Sequence, residues 1–323
     1  METNCILVSA IGSFEWTRRK LPALRENEVL IEVEVTGLCR TDLKIIRHGH
    51  RDLTLPRIPG EEVVGSIRAK GSAVADYEIG TRVYVYPGIW CGRCPACAKG
   101  AQNLCRDMQI MGFHRDGGFA ELVIAPAQSL IPVPQSLSAD VAVLAEPLSC
   151  CLNALELGRL QSGQSIGIWG AGPAGLLLAR AARALGAKVV QIEPDERRRV
   201  FANACATCPD LNFDLCIVAV GAPAAYEQAL SHLNSRGRLV VFSGLLPDDD
   251  RVLLSFNQLH YHEQTLIGAY GCAYRHGVQA LAWLADGGVP VLDMISHRMP
   301  LEALDSALEL VEKRESIKIL LYP

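Results

Sequence analysis

Apolar and polar positions alternate in short runs over the first 150 residues, as in Val29-Leu-Ile-Glu-Val-Glu-Val35, and Gly and Pro break the runs. A period of two over such lengths marks strands with one buried face. Segments 63–67, 82–86 and 120–124 are further strands by the same criterion. Short strands at close spacing predict a small, barrel-like, β-rich domain that carries insertions. From about Leu152 the pattern changes to apolar runs alternating with segments of helical period, which predicts a parallel sheet covered on both faces. The predicted order is strand 165–169, helix 174–185 ended by Gly186, strand 188–192, helix 195–206, strand 214–220, helix 222–233, then strands 237–242 and 265–269. The tail reads as helix 301–313 followed by strand 317–321. No internal repeat or low-complexity linker interrupts this order.

Composition narrows the function classes. The 323 residues are enough for two domains with ample cores, and 50% apolar with 20% charged residues describes a soluble globular chain. A net charge of −4 gives no broad basic field, so neither nucleic acid nor a membrane is expected as partner. Arg197-Arg198-Arg199 is the one basic cluster of note. The opening METNCILVSAIGSFEW lacks a basic start followed by a long apolar core, and no apolar run reaches membrane-spanning length. Twelve cysteines without a secretory signal point to the reducing cytoplasm, where thiols bind metals or sit in cores. Cys5, Cys150, Cys151, Cys216 and Cys272 lie in apolar strings and are expected in the core.

Four other cysteines have a spacing of their own. Cys91-Gly-Arg-Cys94-Pro-Ala-Cys97 and Cys105 form C-x2-C-x2-C-x7-C, and thiolates so close on one short loop can surround a single tetrahedral zinc ion. Such an ion is structural, because four protein ligands leave no position for substrate. Iron–sulfur sites, a redox CxxC or plain reduced loop cysteines share the spacing.

A second motif lies between the first strand and first helix of the α/β half. In Gly170-Ala-Gly172-Pro173-Ala174-Gly175 the first two glycines permit a tight turn close to a pyrophosphate, and the third permits close helix–strand packing. Strand 188–192 is followed by Glu193, a carboxylate able to bind the adenosine ribose hydroxyls. The carboxylate argues for NAD, since it repels a 2′-phosphate. Arg198 either lies near the ribose and extends tolerance to NADP, or belongs to an exposed basic helix face. Val220, at the end of the strand 214–220, completes the expected cofactor residues.

Three more stretches join these features: Gly37-Leu-Cys39-Arg-Thr41-Asp42, Pro59-Gly60-Glu61-Glu62-Val-Val-Gly65 and Ala145-Glu146-Pro147-Leu148. With the cysteine lobe, Gly112-Phe-His-Arg-Asp-Gly-Gly-Phe-Ala-Glu121, Gly237-Arg-Leu-Val-Val-Phe-Ser-Gly244 and Ile317-Lys-Ile-Leu-Leu321, the chain resembles the zinc-containing medium-chain dehydrogenase/reductase family. The branch is that of sorbitol, threonine and related polyol or secondary-alcohol dehydrogenases, and the resemblance covers almost the whole chain. It implies an α/β protein with a GroES-like catalytic domain over 1–152 and 272–323, a Rossmann nucleotide domain over 153–271, and substrate held in the cleft between them. It also implies NAD(P)-dependent interconversion of an alcohol and a carbonyl, zinc-assisted, in a homodimer or homotetramer. Cys39 matches the thiolate ligand of a catalytic zinc, Thr41 the hydroxyl that passes on the alcohol proton, and Asp42 a residue that orients the ligands. Glu62 and Glu146 match carboxylates near the metal. Arg40 matches a position that faces the pyrophosphate in some relatives.

Three departures follow. The family pattern Gly-His-Glu is here Gly60-Glu61-Glu62. Either Glu61 binds zinc as an oxygen ligand, giving Cys39 with carboxylates from Glu61, Glu62 or Glu146, or the metal site is empty and another acid or substrate pre-organisation serves, or the site takes a harder metal. A metal-independent reductase and a dinucleotide-binding, redox-responsive protein without catalysis are the corresponding alternatives. Lys44 replaces the usual relay histidine and is either a shuttle or a solvated surface lysine, while His48 and His50 are candidate substitutes. Between Glu193 and Asp214 there is room for one helix and a link, where relatives carry helix, strand and helix. That missing strand is the outermost of a Rossmann sheet, so a shortened, five-stranded fold is expected there. The Cys205-Ala-Thr-Cys208 pair in this region has no second pair beside it and is expected to be incidental.

Overall fold

Strands form wherever the alternation marks them, and they extend beyond it. In the computed structural model, which describes residues 1–245 and 249–323, the chain divides into two units, Met1–Glu146 with Ala273–Pro323, and Pro147–Cys272. The first unit opens with β1 (Glu2–Ala10) and β2 (Ser13–Lys20), an antiparallel hairpin that the sequence pattern does not mark. The reason is that β2 buries no residue and owes its strand state to pairing with β1. There follow β3 (Glu28–Leu38), β4 (Glu62–Lys70), β5 (Arg82–Val85), β6 (Gly88–Ile89), β7 (Gln109–Ile110), β8 (Leu122–Pro126) and β9 (Leu130–Pro132).

The second unit contributes β10 (Ser165–Trp169), β11 (Lys188–Ile192), β12 (Phe213–Val218), β13 (Leu233–Val241) and β14 (Thr265–Gly268). The chain then returns to the first unit for β15 (Ile295–Pro300) and β16 (Lys318–Tyr322). β3 is the hub of a seven-stranded sheet in the order β15-β16-β3-β4-β5-β9. β4 runs along one of its edges, while β16 and β8 share the other at opposite ends. The hub therefore places Gly37 beside Glu62 of β4, with Leu38 beside Ile319 of β16. β3 also buries Val29, Ile31 and Val33 in a cluster with Val63, Ile67, Val83 and Val123.

The second unit is a five-stranded parallel sheet in the order β11-β10-β12-β13-β14. The helix after β10, Pro173–Ala184, leads out to β11, and the next crossover leads to β12 on the opposite side of β10. The winding thus reverses at the carboxyl end of β10, the place where open parallel sheets bind their ligands. The sheet has the shortened form expected of it. The helix expected over 195–206 stops at Ala202, because Asn203 turns left-handed (φ 50°) and caps it. What remains of an outer strand is one bridge, Ile192 with Cys205, in which Glu193 N donates to Cys205 O at 2.9 Å and Cys205 N donates to Gln191 O at 2.8 Å.

Cys5, Cys151, Cys216 and Cys272 are buried as expected. Cys150 is half-buried, a correction to the core placement, since its place on helix Ala145–Leu157 does not turn it fully inward. Among the described residues no helix is long and apolar enough to cross a membrane.

Candidate functional site

In the first unit the reactive residues are held by one buried carboxylate. Cys39 caps the helix Arg40–His48, its Sγ accepting from Thr41 N at 3.4 Å, while Cys39 N donates to Asp42 Oδ2 at 2.9 Å. The second oxygen, Asp42 Oδ1, accepts from Gly60 N at 3.1 Å. Asp42 therefore ties the segment that carries Cys39 to the one that carries Glu61. Burial pushes its pKa up to about 7, and the two backbone bonds hold it from rising further. The Cys39 thiol is pushed well above its ordinary range by burial, then by Glu62 and Asp42, with Lys318 acting in the opposite sense. The helix amino terminus is not enough to make it a thiolate. Gly112 backs Glu61, since a side chain at Gly112 would begin 3.6 Å from Glu61 Cγ.

Glu62 has a partner the sequence did not disclose. Its carboxylate forms an ion pair with Lys318 of β16, and the two side chains are 1% and 2% exposed. Lys318 Nζ also donates to Leu38 O at 3.3 Å. Gly37 provides the space, because a Cβ there would overlap Glu62 Oε2 and press on Lys318 Cε. A lysine opening the otherwise apolar strand Lys318–Tyr322 was the available signal.

Glu146 opens the helix Ala145–Leu157; burial lowers the Lys318 pKa, but the charge of Glu62, with a smaller part from Glu146, outweighs it. The residues expected around a catalytic metal are thus near one another, but their donor atoms do not converge. Among the described residues, the four lobe cysteines form a group with all donor atoms within 4.8 Å and Glu146 forms another with Cys150 and Cys272, whereas Cys39 with Glu61 and Glu62 forms none. With the Glu62 carboxylate neutralised by Lys318, the Cys39 site does not fit zinc as it stands.

Lys44 lies on the same short helix, half-buried, and His48 beyond it is exposed. His50 packs edge-on against Phe113 (5.0 Å), and its Nδ1 accepts from Asp52 N at 3.2 Å. Burial lowers its pKa, Asp52 opposes this, and Lys44, Arg51 and His114 add to it.

The lobe passes the test that the Cys39 site fails. Cys94 Sγ lies 3.5 Å from Cys97 Sγ and 3.9 Å from Cys105 Sγ. A tetrahedron with zinc–sulfur bonds of about 2.3 Å has edges of about 3.8 Å. Cys91 N and Asp107 N donate to Cys105 Sγ at 3.3 and 3.4 Å. Backbone donation from Cys97 and Arg106 brings the Cys94 thiol down to about 6 against the effect of burial.

In the second unit the glycine turn stands at the carboxyl end of β10. Gly170 has φ +109°, and a Cβ there would come 3.0 Å from Ala219 O and 3.5 Å from Val220 Cβ. A Cβ at Gly175 would overlap Gly170 O, so helix Pro173–Ala184 packs on the strand only because that residue is glycine. Gly172 caps this 12-residue helix without any side-chain bond, which leaves the first-turn N–H groups, including Ala174 and Gly175, directed at an anion. Glu193 is 6% exposed; its Oε2 accepts from Ala171 N at 2.7 Å and its Oε1 from Asp195 N at 3.0 Å. Each oxygen keeps capacity for a second donor. Asp195 Oδ1 accepts from Arg198 N at 3.0 Å, and Arg198 Nη1 lies 3.6 Å from where a Gly172 side chain would start. Arg198 therefore sits over the turn, while Arg197 is exposed. A pyrophosphate with an adenosine ribose fits this donor set.

Comparison with known proteins shows the family of the chain. Residues 25–135 match the alcohol dehydrogenase GroES-like domain. Sorbitol dehydrogenase of Bacillus subtilis (strain 168) is 31% identical over 94% of this chain and 92% of its own. D-altritol 5-dehydrogenase of Agrobacterium fabrum is 33% identical over 87% of this chain and 88% of its own. Among solved structures, a protein of Sinorhizobium meliloti 1021 assigned as a zinc-binding dehydrogenase and bound to NADP superposes with a TM-score of 0.93 at 28% identity, covering 100% of both chains. An alcohol dehydrogenase of Thermus sp. ATN1 superposes with a TM-score of 0.89 at 27% identity, covering 99% of each. With near full-length identity of this order added to the glycine turn, the cysteine lobe and the Cys39 segment, the chain belongs to the zinc-containing medium-chain dehydrogenase/reductase family of alcohol-oxidising enzymes.

Proposed function

We propose that this enzyme interconverts a secondary alcohol of polyol, amino alcohol or cyclitol type and its ketone, using NAD or NADP. The observation that carries the reading is the uncapped helix amino terminus at Gly172, backed by Glu193 at the winding reversal of a parallel sheet. When bound, the nicotinamide supplies the hydride acceptor or donor. The chain's own part is to hold the cofactor and to manage the proton. Backbone N–H groups of the turn bind the pyrophosphate, Glu193 accepts from the ribose, and Arg198 offers a guanidinium to a 2′-phosphate. Arg198 makes NADP usable beside NAD, and the NADP bound by the Sinorhizobium meliloti protein supports this. Thr41, in the first turn beside the Cys39 sulfur, takes the hydroxyl proton of the alcohol. Asp42 keeps Cys39, Thr41 and Glu61 in register through its two backbone bonds. Lys44, with His50, is the candidate onward route for the proton.

The lobe cysteines hold a structural zinc ion. No step is assigned to a metal at Cys39, and the buried Glu62–Lys318 pair favours the metal-independent form of the reaction. Self-association is part of the reading. Phe256 and Tyr261, 78% and 75% exposed, lie on the helix that precedes the edge strand β14, in which Leu266 is 38% exposed. Such a face beside an open sheet edge is suited to pairing with a second copy. A cytoplasmic location goes with twelve cysteines none of which is in a disulfide.

The test is a screen of polyols, amino alcohols and cyclitols, and of their ketones, against both cofactors, with elemental analysis of the same preparation. Reduced nicotinamide formed by the parent and lost in Thr41→Ala supports the reading. Cofactor binding without turnover on any alcohol or ketone refutes it. Light scattering on the same sample tests for a dimer or tetramer.

A further inference from the structure

Two sulfurs that play no part in the proposed reaction lie together in the second unit. Ser149, Cys150 and Asn153 fall within little more than one turn of helix Ala145–Leu157. Ser149 Oγ donates to Cys272 Sγ at 2.9 Å, and Asn153 Nδ2 donates to Gly271 O at 2.8 Å. The segment ending at Cys272 is therefore fastened to this helix at two points. Cys150 Sγ and Cys272 Sγ lie within 4.8 Å of each other, and neither is in a disulfide. A disulfide needs its sulfurs about 2 Å apart, so each sulfur must move by no more than about 1.4 Å, which side-chain rotation supplies. Cys272 is 4% exposed and Cys150 is half-buried, so a small oxidant meets Cys150 first.

We propose that Cys150 and Cys272 form a redox-active dithiol that a hydroperoxide converts into an intramolecular disulfide. The Cys150 thiolate attacks one peroxide oxygen, the O–O bond breaks, and the departing alkoxide takes a proton to leave as alcohol. Cys150 is then a sulfenic acid. The Cys272 sulfur attacks it, the S–S bond forms, the S–O bond breaks, and the hydroxide released takes the Cys272 proton to leave as water. Two electrons pass from the sulfurs to the peroxide, and the products are one disulfide, one alcohol and one water. The Ser149 hydroxyl, which donates to the Cys272 sulfur, holds that sulfur in place for the second step. The Gly271 tether keeps the second sulfur at hand, so that the sulfenic acid is resolved within the chain before it is oxidised further.

The experiment treats the full-length, zinc-loaded protein with tert-butyl hydroperoxide, alkylates it under denaturing conditions with a chelator, and maps the peptides by mass spectrometry. The expected product is a peptide pair joining Cys150 to Cys272, with two fewer alkylated thiols than the twelve of the reduced chain, and dithiothreitol reverses it. Cys150→Ser and Cys272→Ser each remove the cross-link, with a circular dichroism spectrum like that of the parent. Should either variant fail to fold, the mapping on the parent protein decides alone. The inference is overturned if both thiols stay alkylatable after doses that oxidise other cysteines, or if Cys150 is found only as sulfinic acid. It is also overturned if the parent carries a second zinc per chain that Cys150→Ser loses, because the pair is then a metal site.

Discussion

Replacing Lys318 by methionine keeps most of the side-chain length and removes its charge, leaving Glu62 as an uncompensated carboxylate in the interior of the first unit. Both side chains are almost wholly excluded from solvent, at 2% and 1%. The other polar bond at Glu62, from Thr36 Oγ1 at 2.8 Å, goes to its backbone oxygen and does nothing for the carboxylate. Breaking a buried pair on one side costs about 3–5 kcal/mol, since the remaining ion keeps its desolvation penalty without the attraction that offset it. For a unit of this size that is a loss of roughly 6–20 °C in the melting temperature of its transition. Calorimetry reads this directly as a fall in the melting temperature relative to the parent protein. The deficit shrinks as the pH is lowered, since the stranded carboxylate neutralises itself by taking up a proton. The double substitution Glu62→Leu with Lys318→Met recovers most of the loss, because an apolar pair of similar volume has no ion to strand. A single variant within about 1 kcal/mol of the parent, or a double variant no better than the single one, refutes this account of the pair.

Three further outcomes are expected. Arg198→Ser raises KM for NADP by about 10–100-fold and changes that for NAD only a few-fold, as loss of a charge-assisted bond to the 2′-phosphate requires; equal effects on both cofactors, by steady-state kinetics, count against the placement of Arg198. Cys97→Ser takes zinc from about one ion per chain to near none after dialysis, measured by atomic emission, because three thiolates hold the ion far less tightly than four. Burial opposes ionisation of Asp214, but bonds from Ser165 N (2.9 Å), Asn234 Nδ2 (3.0 Å) and Ser165 Oγ (2.9 Å), with Arg238 nearby, outweigh it and hold its carboxyl below the ordinary value. Its stabilisation is therefore complete above about pH 4 and is lost as the pH falls through the lowered pKa, so Asp214→Asn flattens the acid end of the stability profile measured by urea melts.

What could be read from the chain depended on how local its cause was. Strands β10 and β11 coincide with their expected bounds, because each is a short, largely apolar run with a local stop, the glycine turn after Trp169 for β10 and Gly186 and Pro194 on either side of β11. The lobe and the glycine turn are equally local, each complete within a few residues. The helix expected over 195–206 runs four residues past the observed end, since Asn203, a residue that favours a left-handed cap, stops it at Ala202. Lys318 stands out in an apolar strand, but its pairing with Glu62 is beyond reach for a different reason. Its partner lies 256 positions away, and only the pairing of β3 with both β4 and β16 brings them together. The hairpin β1–β2 was missed on similar grounds: the polar second strand acquires its conformation from a neighbour rather than from its own pattern. The Cys39 segment announced its residues but not their arrangement, as Asp42 reaches Gly60 across 18 positions.

The solitary bridge between Ile192 and Cys205 shows where this architecture permits economy. A layered fold is trimmed at its margin like a woven border, since the outermost course supports nothing beyond itself, whereas any inner course is shared by two neighbours. The cut fell next to Glu193 yet left the bond from Ala171 to that carboxylate in place, so thrift in length was reached without disturbing the cofactor's anchorage. The same margin is accordingly the natural seam at which a designer can splice new sequence, between Asn203 and Leu211, and expect the remaining weave to hold.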